Sequence, residues 1–361
     1  MQKIYYVWLN QIQIETRIKL ELIKYFKTPK AIYLCENYEE LGIAPSIIKK
    51  LKTAKSFLDW AEKEVTNCDQ LGISIITLED KQYPDLLKNI PDKPILLYVK
   101  GKVDVLNTPM IGIVGARSCF EYGYEMSVKF ARHLAQRGIT VVSGMAKGVD
   151  AAAHEGALKE GRTVAVLGTG VDICYPACNR NLYCKIPQEG AIISEYPLNT
   201  PGRPYQFPKR NRIISGLASG VLVTEAAQRS GSLITANLAL EYNREVFAVP
   251  GDLRSGMSLG TNELIKKGAK CVTCIEDILE ELPLKIQKKL QAPCKNTLKN
   301  HNNELAQEER MVYAYVSWNP IFLNELLTST KLSYEAIYRD LTQLELKGYI
   351  KKLPGERYVR S

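Results

Sequence analysis

Between Met110 and about Leu282 the chain alternates short apolar runs with amphipathic segments, the pattern of a parallel sheet wound with helices on both faces. The runs at 111–114, 139–143, 163–167, 191–194, 220–224, 245–249 and 271–273 predict its strands. Two earlier runs, Ile73–Leu78 and Ile95–Val99, stand apart from each other across turns at Tyr83-Pro84 and Pro91–Pro94, and are expected to extend that sheet. Residues 1–66 follow a helical period, with Ile14, Ile18, Leu22 and Phe26 on one stripe and Pro29 and Pro45 suited to the first turns of further helices. Within them, Leu41-Gly42-Ile43 precedes a helix carrying Lys49, Lys50, Lys52 and Lys55, a weak helix-hairpin-helix signal that equally describes a solvated helix face. From Leu305 the pattern predicts helices at Leu305–Val316, Ile321–Leu327 and Ser333–Leu346, then strands Tyr349–Leu353 and Arg357–Val359 around Pro354-Gly355, which is the order of a winged helix. Residues 283–304 turn to Lys, Asn and Gln with little apolar period and read as a mobile linker. The expected class is therefore α/β, divided into a helical part (1–66), a sheet core (67–282), the linker (283–304) and a winged-helix domain (305–361).

In an open α/β sheet, ligands bind where the turns gather at the carboxyl ends of the strands. Here those turns include Gly115-Ala116-Arg117-Ser118, Ser143 through Asp150, Gly168-Thr169-Gly170, Ser194-Glu195, Ser230-Gly231-Ser232 and Pro250-Gly251-Asp252. Small residues let backbone N–H groups approach an anion at helix N-termini. Neither G-x-x-x-x-G-K-[ST] nor G-x-G-x-x-G occurs at the first strand, and Arg117 stands where a dinucleotide fold wants glycine. Its planar fork suits phosphate, with an internal ion pair to Asp150 or Glu225 as the alternative.

The stretch Gly202–Ser215, GRPYQFPKRNRIIS, changes this picture most. It places Arg203, Lys209, Arg210 and Arg212 beside Tyr205 and Phe207, and no Asp or Glu lies between Tyr196 and Thr224. Cations that neutralise phosphates, interleaved with rings on which bases stack, are the ingredients of a single-stranded nucleic-acid groove. Arg117, Lys209, Arg210 and Arg212 are expected to displace counterions, and Arg210→Ala to leave folding unchanged. Asn211 offers a donor and an acceptor to hold the loop or touch a base edge. Phe207 serves equally as a core anchor or a stacking platform. The formal charge of +9 over 361 residues permits an anionic partner without demanding one.

Candidate chemistry is sparse. Asp150 and His154 lie one helical turn apart, but a helix cap and a packed ring account for them, and with Glu225 they are the candidates for an acid and a base. No nucleophile, base and orienter form a set, and Cys271-Val272-Thr273-Cys274 lacks a second pair at zinc spacing. No catalytic residue, metal or cofactor is assigned. The nine scattered cysteines read as reduced thiols. With no apolar run of about 18 residues and no signal-like start, a cytoplasmic protein without a membrane contact is expected.

The runs GIVGAR, SGMAKGVDAAAH, GTGVDICYP, SEYPLNTPGRPYQFPKRNRIISGL, TEAAQRSGSLITANLAL and REVFAVPGD, in unbroken order from about 111 to 252, resemble the DNA-processing protein A family (DprA, also called Smf). The resemblance implies a Rossmann-like core, a SAM-like helical N-terminal domain and a C-terminal winged helix. It further implies single-stranded DNA binding in natural transformation without known catalysis, protection of incoming strands, loading of the recombinase RecA, and homodimers. The family's DNA-contacting arginine falls on Arg117, its basic patch on Lys209, Arg210, Asn211 and Arg212, and its helix-start triplet on Ser230, Gly231 and Ser232; Lys147 is a further candidate in the loop after the second parallel strand. A competing enzyme class, the nucleotide phosphoribohydrolases with a related Rossmann variant, calls for PGGxGTxxE, whereas this chain has Val223-Thr224-Glu225-Ala226-Ala227-Gln228 without the double glycine. The third helix of the winged-helix domain, with Glu335, Arg339, Asp340, Glu345 and Lys347, presents a mixed face that favours protein contact over a major groove.

Overall fold

The computed structural model describes residues 2–284, 286–287, 306–316, 320–330 and 332–360, in two compact units that meet at 293/294. The expected linker at 283–304 lies, apart from four residues at its start, outside the described residues.

In the first unit, helices α1 (Gln2–Gln11), α2 (Thr16–Phe26), α3 (Pro29–Leu34), α4 (Pro45–Ala54) and α5 (Leu58–Gln70) precede β1 (Ile73–Thr77), α6 (Asp85–Lys88) and β2 (Leu96–Gly101). Then β3 (Met110–Val114), α7 (Glu121–Gln136), β4 (Thr140–Ser143), α8 (Val149–Leu158), β5 (Thr163–Val166), α9 (Arg180–Glu189) and β6 (Ala191–Ser194) run outward from the middle of the sheet. The chain returns through α10 (Gln206–Leu217), β7 (Gly220–Val223), α11 (Ser232–Glu241), β8 (Glu245–Ala248), α12 (Leu259–Lys266), β9 (Lys270–Cys271) and α13 (Glu276–Leu279). The strand order is β1-β2-β6-β5-β4-β3-β7-β8-β9, parallel from β6 to β9 and antiparallel where β2 joins β6 and β1 joins β2. Every residue of β3, β4, β5, β6 and β7 is buried, which is why these strands read as unbroken apolar runs. The crossovers leave β3 and β7 in opposite directions, so a crevice opens between their carboxyl ends.

The helical segment is not separate from the sheet. The expected boundary at 66/67 falls inside α5, and one apolar cluster joins Tyr6, Trp8 and Leu51 to Leu167, Ile186 and Ile192. Trp8 Nε1 donates to the Ala54 carbonyl at 2.6 Å, Asn10 Nδ2 to the Glu195 carbonyl at 2.8 Å, and the Leu198 N–H to Glu64 Oε1 at 2.7 Å. The lysines of α4 and its end are largely spent internally: Lys50 donates to the Gln13 carbonyl, Lys52 pairs with Glu39, and Lys55 donates to the Cys35 carbonyl.

Lys19 on α2 is buried, with Nζ donating to the Asn10 carbonyl at 2.6 Å. Burial, with Lys209 and Arg212 nearby, pushes its ammonium down to about 7. The charged form is thus disfavoured in the folded state, a penalty present in full below about pH 7 and gone above the unfolded value near 10.5. Lys19→Met is expected to melt higher than wild type at about pH 6, with the gain shrinking as pH rises through that window; thermal melts across pH check the trend.

The second unit carries α14 (Gln307–Tyr315), β10 (Ile321–Phe322), α15 (Leu323–Thr330), α16 (Tyr334–Leu346), β11 (Ile350–Leu353) and β12 (Arg357–Arg360), with sheet order β10-β12-β11. Ile337, Leu341 and Leu344 on α16 pack on Val312, Leu326 and Tyr358, and Ser333 caps α16 by accepting from the Ala336 N–H. The stretch read as a helix from Ile321 begins instead with the two-residue β10, which pairs with the wing. Arg339 pairs with Glu308 and Asp340, and Lys347 with Glu309, so these cations of the third helix serve their own unit.

Candidate nucleic-acid interface

The crevice at β3 and β7 holds a cleft of about 320 Å³. The turn after β3 supplies Gly115 and Arg117, the turn after β4 Ala146 and Asp150, α10 supplies Phe207, Arg210 and Asn211, and the start of α11 supplies Ser230, Gly231 and Ser232. A smaller hollow of about 110 Å³ adjoins it, lined by Lys147, Gly168, Thr169 and Tyr175 and sharing Arg117, Phe207 and Arg210 with the first. Phe207 stands between the two. Its ring stacks on Tyr175, with centroids 5.2 Å apart and an interplanar angle of 27°, and the Arg117 guanidinium lies 5.8 Å from its centroid.

The backbone around the cleft is shaped to admit an anion. Gly148 has φ +72°, and a Cβ there would meet the Ala116 and Arg117 carbonyls, so the Lys147 loop packs on the Arg117 turn only with glycine at this position. Asn179 Nδ2 braces the same loop by donating to the Met145 and Ala146 carbonyls at 2.9 and 3.2 Å. At the start of α11 no side chain caps the helix from Gly231, while Ser230 Oγ accepts from the Ser232 N–H at 3.3 Å. Backbone donors at a helix start favour negative charge.

The cations divide into two sets. Arg117, Lys147, Arg203 and Lys209 are exposed, and among the described residues none of the four forms an ion pair. Arg210 and Arg212 are only 4 % and 3 % exposed. Arg210 Nη1 donates to the Gly144 carbonyl at 2.7 Å and also to the Val166 carbonyl, bolting α10 to the ends of β4 and β5. Burial pushes its guanidinium down to about 10, which leaves it charged at neutral pH. Arg212 pairs with Glu195 and, at 3.4 Å, with Asp92. The expectation that both arginines face phosphate is therefore corrected: Arg212 is a buried ion-pair partner, and Arg210 contributes to the cleft wall as a structural brace. Because a Cβ on Gly144 would collide with the Arg210 guanidinium, Gly144→Ala is expected to cost roughly 1–3 kcal/mol; chemical denaturation measures it.

Asp150, His154 and Glu225 do not converge. Asp150 Oδ2 accepts from the Ala146 N–H at 3.3 Å, and burial raises its pKa against the opposing effect of Arg210. The helix cap is Gly148 rather than Asp150. His154 is wholly enclosed, with Nδ1 2.7 Å from Thr163 Oγ1, and burial drives it down to about 3, so the ring is neutral. Glu225 accepts from the Phe120 N–H at 3.0 Å at the start of α7 and lines a different cavity, beside Tyr122 and Pro250. Neither acid pairs with Arg117.

The family profile described as DNA recombination-mediator protein A matches residues 74–283, more than half the chain and the whole of the region just described. The chain belongs to that family. A second profile, the DprA winged helix domain, matches residues 299–356. Protein Smf of Escherichia coli (strain K12) is 37% identical over 316 residues, spanning 86% of this chain and 84% of its own length. DNA processing protein DprA of Streptococcus pneumoniae is 45% identical over 203 residues, spanning 56% of this chain and 72% of its own. The crystal structure of the Streptococcus pneumoniae protein superposes with a TM-score of 0.66 at 35% identity, covering 78% of this chain and 97% of that one. A structure of DNA processing protein A from Helicobacter pylori, described for its single-stranded DNA binding mode, gives 0.53 at 33%, covering 58% and 98%.

Against the residues expected from the sequence of this family member, the fold brings Arg117, Phe207, Arg210, Asn211, Ser230, Gly231 and Ser232 around one cleft. Lys147 lines the adjoining hollow, while Arg203 and Lys209 line a third, next to α2. Two residues, Tyr175 and Asn179, were missed, whereas Thr169 belongs to a turn already singled out. Tyr175 sits in the Gly168–Pro176 run, whose small residues and ring were visible, and Asn179 follows it without any local signal.

Proposed function

We propose that this protein binds single-stranded DNA in the β3/β7 cleft, without sequence preference, and acts as a recombination mediator. The observation that carries the reading is exposed Arg117, without an ion pair among the described residues, standing over the Phe207 ring that stacks on Tyr175 in the cleft at the start of α11, with exposed, likewise unpaired Lys147 in the adjoining hollow. A duplex would hold its bases stacked away from Phe207 and Tyr175, whereas a single strand can lay them on the rings. The Helicobacter pylori relative's single-stranded DNA binding mode supports the same choice. Titrating the protein with labelled single- and double-stranded DNA of equal length tests it: tighter binding of the single strand is expected, and equal affinity contradicts the proposal.

The family resemblance extends the proposal to protection of incoming strands during natural transformation, to handing them to the recombinase RecA, and to a homodimer formed by the sheet core. A chain ending after Leu282 is then expected to remain dimeric in light scattering. No catalysis is proposed. Asp150, His154 and Glu225 each have separate structural partners, and donors at helix starts bind an anion without moving a proton. Nucleoside-monophosphate hydrolysis by wild type, lost in Glu225→Gln, would overturn this reading in favour of an enzyme. The protein is expected to work in the cytoplasm; no helix among the described residues is long and apolar enough to cross a membrane.

A further inference from the structure

A third hollow, of about 380 Å³, lies where the α1–α2 turn meets the loop between β6 and α10. Its wall joins Gln13 and Lys19 from the helical segment to Arg203, Tyr205 and Lys209 from the stretch that leads into the DNA cleft. The charges there do not balance. Lys19, Arg203 and Lys209 line it against one acid, Glu195, which is itself held by buried Arg212. Arg203 and Lys209 are exposed, Tyr205 is 63% exposed, and the Lys209 ammonium stands 6.0 Å from the Tyr196 ring. A buried ammonium whose nearest charges are mostly cations is stabilised by any anion that arrives. An exposed ring beside two cations is what a nucleotide needs, its base stacked and its phosphate neutralised.

Resting on the single-stranded DNA reading, we propose that this hollow is a second nucleotide subsite for the same strand, holding a backbone phosphate among Lys19, Arg203 and Lys209 with its base on Tyr205. The strand leaves the β3/β7 cleft along α10, where Lys209 follows Phe207 by two residues, and the helical segment thereby becomes part of the DNA-binding surface. The groups facing Lys19 are Lys209 and Arg212 from α10 and Glu195 from the end of β6. A phosphate placed there raises the Lys19 pKa from about 7, so binding takes up a proton and weakens as pH rises.

The experiment is an anisotropy titration of labelled oligo-dT at constant ionic strength, at about pH 6 and about pH 9, with wild type, Lys19→Met and Gln13→Trp. Gln13 is exposed, and its indole replacement obstructs the mouth while keeping the backbone carbonyl that Lys50 uses. Wild type is expected to lose about tenfold in affinity between the two pH values, equivalent to one unit of pKa shift on Lys19. Lys19→Met should bind more weakly at the lower pH and show little pH dependence, and Gln13→Trp should lose both the affinity and the coupling. Equal pH dependence in wild type and Gln13→Trp overturns the subsite while leaving the cleft intact, and this arm decides without relying on Lys19→Met. No oligo-dT binding by wild type overturns the DNA reading along with it. If thymidine monophosphate alone binds with the same pH coupling and oligo-dT does not compete, the hollow takes a free nucleotide and the strand path proposed here is wrong.

Discussion

Arg212→Met is expected to lower the free energy of unfolding by about 3–5 kcal/mol, the largest stability loss anticipated for any cation of the 203–212 stretch. Arg212 is 3 % exposed and holds Glu195, 6 % exposed, together with Asp92 at 3.4 Å. Its pKa is raised, the attraction of Glu195 and Asp92 outweighing the burial that opposes it. Removing the guanidinium leaves the Glu195 carboxylate enclosed without its partner, and that uncompensated charge, rather than the lost pair, is the main cost. Adding Glu195→Gln to the same chain should recover part of the loss. Urea denaturation of wild type and the two variants decides the matter, and a change within about 1 kcal/mol for the single variant would show that the pair is dispensable.

Single-stranded DNA affinity is expected to fall about fiftyfold between 50 and 200 mM salt. Arg117, Lys147, Arg203 and Lys209 are the exposed cations along the proposed path, and four phosphates neutralised on a single strand give a slope of log K against log salt of about −0.7 × 4, roughly −3. Arg117→Ala with Lys209→Ala should halve the slope with the fold intact. Anisotropy at four or more salt concentrations measures it; a flat response would exclude phosphate neutralisation as the source of affinity. Loss of slope on replacing Arg210 or Arg212, in a variant that remains folded, would restore those two to the DNA surface.

The sheet was legible because burial on both faces leaves an unbroken apolar run, and β6 falls on 191–194, the range its residues predict. The antiparallel edge was less so, since nothing in Ile73–Leu78 or Ile95–Val99 tells direction. Glycine and serine at the strand ends located the cleft for the reason the structure shows: Gly148 and Gly144 sit where a Cβ has no room. What the residues could not convey was which way each arginine of α10 points. Arg210 and Arg212 are two positions apart, about 200° around a helix, so one solvent-facing surface cannot hold both. The absence of acids from 197 to 223 suggested unpaired cations, yet the partners lie outside that window: Glu195 at its edge, and Asp92 more than a hundred residues before it.

The apolar cluster that joins α1 and α4 to the sheet also limits how the chain can be dissected. Cutting at residue 66 would sever α5 before its last turn, bare Leu167, Ile186 and Ile192 to water, and strip the Leu198 N–H of its acceptor. The first 66 residues thus share one apolar core with the sheet, and a protein begun at residue 67 should be judged by its solubility before its failure to bind anything is attributed to a missing contact.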